Sequence, residues 1–305
     1  MTRLPQPLAA NRAVLAAAAL LLSAGLAGCG DQQPTSAEPT SSQSSPTPED
    51  SASVPTSQAP APAEKVTVPV YFVGETPQGQ ALFREFRKVE ADNPMEEAVA
   101  LMVAGDALDP DYGTLWPSGS FESVAFSSGA GAIVASVSDD TWADAPGGMN
   151  KAMAKLALQQ LVYTVQGIQQ ERLPVLVQEG SDPATLFGVD TTGGLEAADQ
   201  LDVLGLVNVT NPEEGASVSG TFIARGVASS FEATVPWQIR DASGKTVLEG
   251  FSTAEGWLDK LYPWETEIDV SSLSPGSYTF VAMTDDPSGG EGGGPTEDSK
   301  TIVVS

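Results

Sequence analysis

The apolar positions of the first folded segment alternate with polar ones and predict that it begins with a β-strand. Val66, Val68, Val70 and Phe72 occupy every second position, as expected when one face of a strand is buried. Further strands are predicted at 121–126, 132–137 and 174–178, the first two forming a hairpin across Gly129-Ala130-Gly131. These strands are expected to form the sheet of a layered α+β fold.

Two helices are predicted between these strands. The first starts at Asn93-Pro94, because Asn93 can cap a helix and proline suits the first helical position, and Gly105 can end it. The second covers about residues 150–167, with its apolar residues on one broad side. The resulting order β-α-β-β-α-β favours an α+β layer with helices on one face of a sheet.

The second segment alternates short apolar runs with turn sequences and contains no convincing helix. Seven strands are predicted, at 207–210, 217–226, 235–240, 246–251, 265–270, 277–283 and 300–304. Seven short strands in about 100 residues are typical of an immunoglobulin-type β-sandwich, here without a cysteine pair. We therefore expect an α+β domain at residues 65–200 and an all-β sandwich at residues 204–305.

The N-terminal residues have the layout of an export leader. Arg3 and Arg12 give a positive start, an Ala/Leu-rich stretch follows, and Leu26-Ala27-Gly28-Cys29 resembles a lipobox. The alternative is an ordinary leader with a chance cysteine, which is less favoured because Cys29 is the only cysteine. We expect residues 1–28 to be cleaved and Cys29 to carry a palmitate-type lipid, anchoring the chain to the outer face of the cell membrane.

Residues 29–64 are predicted to be a tether. They are rich in Ser, Thr and Pro, contain no aromatic residue, and cannot bury enough apolar surface to offset the entropy of ordering. We therefore expect a disordered linker that separates the folded part from the lipid.

Composition narrows the chemistry that is open to this chain. The net charge of −26 argues against nucleic acid as a partner, since a polyanion would be repelled. The chain has no histidine, which removes Ser-His-Asp and Cys-His catalysis and the commonest transition-metal ligand. We expect no cofactor and no metal, and an enzyme would have to use carboxylate, lysine or hydroxyl groups.

The first segment resembles the GerMN domain of sporulation and germination proteins. The matching stretches are Val70-Tyr71-Phe72-Val73, Asn93-Pro94, Leu115-Trp116-Pro117-Ser118-Gly119-Ser120, Val134 to Val137, and Leu158 to Thr164. The second resembles the immunoglobulin-like domain of bacterial spore germination, through Asn211-Pro212, Val218 to Ala228, Phe231-Glu232-Ala233 and Tyr262-Pro263-Trp264. The resemblance implies binding of a ligand or a partner domain, and it brings no catalytic motif.

Four aromatic residues are candidate contacts for a ligand or partner. Trp257, Tyr262 and Trp264 could form a platform, since flat rings stack on sugars and anchor protein interfaces. Trp116, in its Trp-Pro-Ser-Gly turn, has the same ambiguity. Packing inside the domains is the favoured alternative for all four. The acidic pairs Asp139-Asp140 and Asp285-Asp286 lack calcium-loop spacing and are expected in solvated loops.

The sequence therefore favours a non-enzymatic lipoprotein that binds an envelope protein or a cell-wall ligand. The alternative from another class is an envelope hydrolase that uses two carboxylates, but nothing in the sequence marks two acidic residues as a pair. A solute-binding component for import is disfavoured, because two large α/β lobes around a cleft are missing.

Overall fold

The computed structural model describes residues 64–291 and 293–305. The predicted leader, the lipidated Cys29 and the tether up to residue 63 lie outside the described residues. The described chain is an α+β domain followed by an all-β sandwich, which confirms the predicted fold class.

The first domain contains two sheets and two long helices. Its elements in chain order are β1 Lys65–Thr76, β2 Gly79–Glu90, α1 Pro94–Ala104, β3 Ser123–Ser127, β4 Ala132–Val137, α2 Lys151–Gln169, β5 Val175–Glu179, β6 Asp182–Pro183, β7 Thr185–Leu186 and β8 Val189–Asp190. The long strands β1 and β2 form a two-stranded sheet, while β3, β4, β5 and β6 form a second sheet in that order. The prediction of a single sheet was wrong, because strand β2 had not been anticipated and it takes the whole edge of β1.

Local residues set the start of each long helix and the end of α1. Pro94 opens α1, but Asn93 makes no side-chain capping bond, which corrects its predicted role. Gly105 ends α1 in the left-handed conformation, with φ 65°, as predicted. In α2 it is the Asn150 side chain that accepts hydrogen bonds from the backbone N–H groups of Ala152 and Met153.

The core of the first domain lies between β1, the two helices and the second sheet. Phe72, Met102, Ile133 and Leu161 are among its fully buried side chains and come from β1, α1, β4 and α2 respectively. Each of these elements therefore buries one face in a shared core.

The second domain follows a short helix, α3 Gln200–Val203. Its strands are β9 Val207–Asn211, β10 Ala216–Val218, β11 Thr221–Ala228, β12 Thr234–Arg240, β13 Thr246–Thr253, β14 Tyr262–Asp269, β15 Gly276–Met283 and β16 Glu297–Val304. One sheet has the order β10-β16-β15-β12-β13 and the other β14-β11-β9. All seven predicted strands are present, but the predicted strand 217–226 is divided into β10 and β11 by Gly220, which has φ 57°.

Candidate functional site

The two domains meet along a buried seam in which apolar side chains from both sides pack together. Leu82 of β2, Tyr163 of α2 and Leu204 belong to one apolar cluster, and Leu261 of the sandwich packs against it. The Phe83 ring lies so close to Gly205 that a Cβ on this glycine would come within 2.5 Å of it. The seam therefore includes the residues that link the domains.

A buried cation lies at the centre of the polar part of this seam. The Nζ atom of Lys300, on β16, lies 2.5 Å from Oδ2 of Asp109, 2.8 Å from the Tyr112 hydroxyl and 2.9 Å from Oδ1 of Asp298. The Tyr112 hydroxyl donates in turn to Oδ1 of Asp298 over 2.6 Å. Because Asp109 and Tyr112 belong to the first domain, this network joins the two domains.

The remaining oxygen atoms of the network also have donors. Oδ2 of Asp298 accepts from the Asn208 side chain and from the backbone N–H of Val209. The buried carboxylate of Glu85, on β2, accepts from the backbone N–H groups of Leu108 and Asp109 and holds the loop that carries Asp109. The network is therefore saturated by protein groups.

Burial and neighbouring charges both shift the pKa values of Lys300 and Tyr112. Burial lowers the pKa of Lys300, but the attraction of Asp298 and Asp109 outweighs it, so the pKa lies above its usual value. Burial together with the neighbouring Asp298 raises the pKa of Tyr112 well above its usual value. The lysine is thus held as a cation and the tyrosine as a neutral phenol.

There is little free space beside this network. The cavity that Glu85 and Lys300 line has a volume of about 20 Å³, and the one beside Arg84 and Asn208 about 80 Å³. A cavity of the first size accommodates about one water molecule, far less than the several hundred Å³ of a ligand pocket.

Trp116 lies in the core of the first domain. It is 4% exposed, and its Nε1 donates to the carbonyl oxygen of Ala157 on α2 over 2.9 Å. Its ring contacts those of Trp142, Phe121 and Phe187 at centroid distances of 5.3 Å or less. The ring offers no surface to a ligand, so its candidacy as a contact residue is replaced by the packing alternative.

The three aromatic candidates of the sandwich have different surroundings. Trp264 is 3% exposed and packs in the sandwich core, so it cannot belong to an exposed platform. Tyr262 is half-buried, donates to Asp259 over 2.8 Å and carries Lys260 over its ring. Trp257 is also half-buried and contacts Phe231 edge-on at 5.2 Å. Phe231 and the exposed Leu258 beside Trp257 were not among the contact residues expected from the sequence, although single apolar residues in a polar turn could have indicated them.

Carboxylates come together on the surface of the first domain at Glu90, Asp92 and Glu97. One oxygen from each lies within 4.8 Å of the others, beside a groove of about 450 Å³ along α1. Glu97 already accepts from the backbone N–H of Glu90. Calcium takes six to eight oxygen ligands, so three carboxylates of this kind do not define a site for it.

One carboxylate of each acidic pair accepts hydrogen bonds within its turn. Asp139 accepts from the backbone N–H of Thr141, and Asp286 accepts from those of Ser288 and Gly290. The hydrogen bonds that Asp139 and Asp286 accept hold the pKa of both carboxyl groups below its usual value. The bonds from the Thr141 and Ser288 side chains have the largest effect.

A wider groove of about 820 Å³ runs between α2 and the turn that joins β1 to β2. Met153, Leu156, Leu195 and Val203 contribute apolar surface to it. The Gln159 side chain at its edge is bonded to the backbone of Glu196 and Ala198.

Among the described residues, no helix is both long enough and apolar enough to span a membrane.

Comparison with known families agrees with this architecture. Residues 69–180 match the family model described as sporulation and spore germination, and residues 206–291 match the immunoglobulin-like domain of bacterial spore germination. The chain therefore combines a domain of the first family with an immunoglobulin-like domain of the second, in that order. The resemblance drawn from the sequence is confirmed, and neither family description names a reaction.

Similar solved structures are distant. The tandem GerMN domains of the sporulation protein GerM from Bacillus subtilis share 14% identity, with 68% of this chain and 62% of that one covered and a TM-score of 0.35. CopC from Methylosinus trichosporium OB3b shares 20% identity over 32% of this chain and 92% of that one, with a TM-score of 0.22. The endo-β-1,4-mannanase from Thermotoga petrophila shares 14% identity over 53% of this chain and 37% of that one, with a TM-score of 0.27. No curated protein matches the chain.

Proposed function

We propose that this protein is a non-enzymatic binding and scaffolding protein of the cell envelope, held at the outer face of the membrane by a lipid on Cys29. One observation carries the proposal. The buried ionisable network around Lys300, which is where catalytic groups would be sought, is bonded to protein groups and includes direct hydrogen bonds between the two domains.

The geometry of this network argues against the alternative of a carboxylate hydrolase. An acid–base pair must reach a substrate, and glycosidases place their two carboxylates on either side of the bond that is cleaved. Asp109 and Asp298 instead share the Lys300 ammonium group and are 2% and 3% exposed. The cavity that Lys300 lines has a volume of only about 20 Å³. A sugar unit does not fit between the two carboxylates.

The seam also supports a scaffolding role. Apolar packing and the Lys300 network together keep the surfaces of the GerMN domain and of the sandwich in one body. Binding a partner that contacts both surfaces then costs less entropy, because the two domains do not have to be ordered relative to each other.

Anchoring is the first part of the proposal to test. Metabolic labelling with an alkyne-bearing fatty acid is expected to label the wild-type protein, and Cys29→Ser is expected to lose the label and move out of the membrane fraction. Because Cys29 is the only cysteine, there is no second thiol to take over the lipid. Unchanged label and unchanged fractionation in the variant would contradict the lipid anchor.

Binding without chemical change is the second part. Crosslinking in intact cells followed by mass spectrometry is expected to identify a reproducible envelope partner or wall fragment. Incubation of the purified protein with wall fragments and envelope extracts should leave their masses unchanged. New cleavage products that disappear when a particular Asp or Glu pair is changed to Asn or Gln would instead support the hydrolase.

A further inference from the structure

Three apolar side chains are presented together at one end of the sandwich. Phe231 lies in the 3₁₀ turn that precedes β12, and Trp257 and Leu258 lie in the connection between β13 and β14. Phe231 is 40% exposed and Leu258 67% exposed, while Trp257 joins them to the sandwich core. These three residues are named the apolar tip here.

The backbone holds the apolar tip in place. The N–H of Leu258 donates to the Ser229 hydroxyl over 3.2 Å, and Leu258 has φ 92°, a backbone conformation that non-glycine residues rarely adopt. Ser230, next to Phe231, accepts from the N–H of Asp285 over 2.7 Å and donates to the Thr234 carbonyl oxygen. The backbone that carries the exposed side chains is therefore held before any partner arrives, which lowers the entropic cost of binding.

Acidic residues flank the apolar tip along the chain. Glu232 follows Phe231, Asp259 follows Leu258, and Glu255 precedes Trp257 by two positions, and all three are exposed. Asp285 is brought beside Ser230 by its backbone bond. Within residues 64–291 and 293–305, none of these four carboxylates forms an ion pair, and Lys260 is the nearby cation, placed over the Tyr262 ring.

This charge distribution selects among the possible occupants. An anionic lipid surface would be repelled, and a second copy of the same tip would bring eight carboxylates together. A segment with lysine or arginine beside an apolar side chain would instead satisfy both the carboxylates and the exposed rings.

We propose that the apolar tip is a docking site for a basic segment of a partner protein, with one or more large apolar side chains flanked by Lys or Arg. The apolar residue packs against Leu258 and Phe231, and the cationic groups lie over Glu232, Glu255 and Asp259. This inference rests on the proposed binding function and names the surface and the chemistry of its partner.

The test uses the full-length protein and three fluorescein-labelled peptides of equal length, followed by fluorescence anisotropy. The first peptide combines Leu and Trp with Lys and Arg, the second replaces Lys and Arg by Glu, and the third replaces Leu and Trp by Ser. The first is expected to bind at least about tenfold more tightly than either of the others, with affinity that falls as salt is added.

Variants then locate the binding surface. Leu258→Ser is expected to weaken the first peptide about tenfold or more, as is expected when a central apolar contact is lost. Glu232→Gln combined with Asp259→Asn is expected to weaken it and to flatten its salt dependence. Ile223→Ser is the matched control, because Ile223 is a 45% exposed apolar residue of β11 in the same sandwich. Thermal unfolding of each variant verifies that the fold is retained.

Several outcomes would overturn the proposal. These are equal binding of the basic and acidic peptides, unchanged binding by Leu258→Ser, or Leu258-dependent binding to phosphatidylglycerol vesicles or to a second copy of the chain in place of the peptide. Failure of the tip is distinguishable from failure of the proposed function. If Leu258→Ser retains the crosslinked envelope partner, only the docking site is wrong, whereas a wild-type protein without any partner contradicts the function itself.

Discussion

Lys300 is a nearly buried cation in a chain with a net charge of −26, and three oxygen atoms surround its ammonium group. All three of its protons have acceptors, two of them carboxylates and one a tyrosine hydroxyl. Such a group is stable in the interior only while its partners stay in place, because a buried charge without a partner is costly. The residue therefore couples the local arrangement of β16 to the loop that carries Asp109.

Replacement of Lys300 by methionine is the most direct test of this coupling. Lys300→Met leaves Asp109 and Asp298 buried near each other without their cation, so we expect a loss of about 3–5 kcal/mol in the free energy of unfolding. Urea denaturation followed by tryptophan fluorescence measures it. Lys245→Met, at an exposed turn lysine, is the control and should have little effect. A loss below about 1 kcal/mol for Lys300→Met would show that the network contributes little.

The same network predicts how stability depends on alkaline pH. The folded-state pKa values of Lys300 and Tyr112 are both raised, so the folded protein keeps these protons more firmly than the unfolded chain does. Their contribution is complete below the unfolded values of about 10 to 10.4, and it is lost as pH rises through the folded values. The double variant Lys300→Met with Tyr112→Phe should therefore lose less stability than the wild type as the pH rises above about 10. An equal slope for both proteins, or an equal flattening by Lys245→Met, would contradict this assignment.

Few of these residue roles could be predicted from the sequence. Asp109 and Lys300 are 191 positions apart, so no local pattern connects them, and only the packing of two domains brings them together. Trp116 and Trp264 were candidate contacts because an aromatic residue near a turn has the same sequence pattern whether it is buried or exposed. Their burial depends on what covers the turn, and that cover comes from distant elements.

At the scale of elements, regular alternation and capping chemistry predicted most of the fold. The sandwich strands were anticipated because each has a short apolar run between turn sequences. Strand β2 was missed, since its buried residues Ala81, Leu82 and Phe83 are consecutive and the charged Arg84 to Lys88 region conceals the alternation. The buried Glu85 is part of that region, and its partners are backbone groups that the sequence cannot indicate.

Strand β11 provides a test at this scale, because it approaches β9 unusually closely. A Cβ atom on Gly226 would lie 2.0 Å from the backbone oxygen of Asn208 and 3.0 Å from the ring of Trp264. Backbone atoms cannot move aside as a flexible side chain can, so Gly226→Ala should destabilise the protein by about 1–3 kcal/mol or more. Gly129→Ala is the matched control, since a Cβ there meets nothing within 4 Å. Equal urea midpoints for the two variants would mean that the close approach of β11 to β9 is not maintained in solution.

At the scale of the whole molecule, the seam determines how far the two domains are independent. The two family models and the two main cores separate the chain near Leu204, and the described residues nevertheless fall into one compact unit. Each domain has its own buried core, but each also contributes side chains that are satisfied only by the other. The domain boundaries at 65–200 and 204–305, with independent folding of each part, stay a prediction.

The seam makes this prediction quantitative. Fragment 204–305 keeps Lys300 and Asp298 but loses Asp109 and Tyr112, while fragment 65–200 loses the Gly205 backbone that covers Phe83. We therefore expect the protein spanning 65–305 to unfold in a single transition, at a higher urea concentration than either fragment, because separation leaves buried groups without partners. Lys300→Met should lower the midpoint of the joined protein much more than that of fragment 204–305, where the network is already broken. Two separate transitions in the joined protein, each at the midpoint of its fragment, would contradict coupling through the seam and would favour two domains that unfold independently.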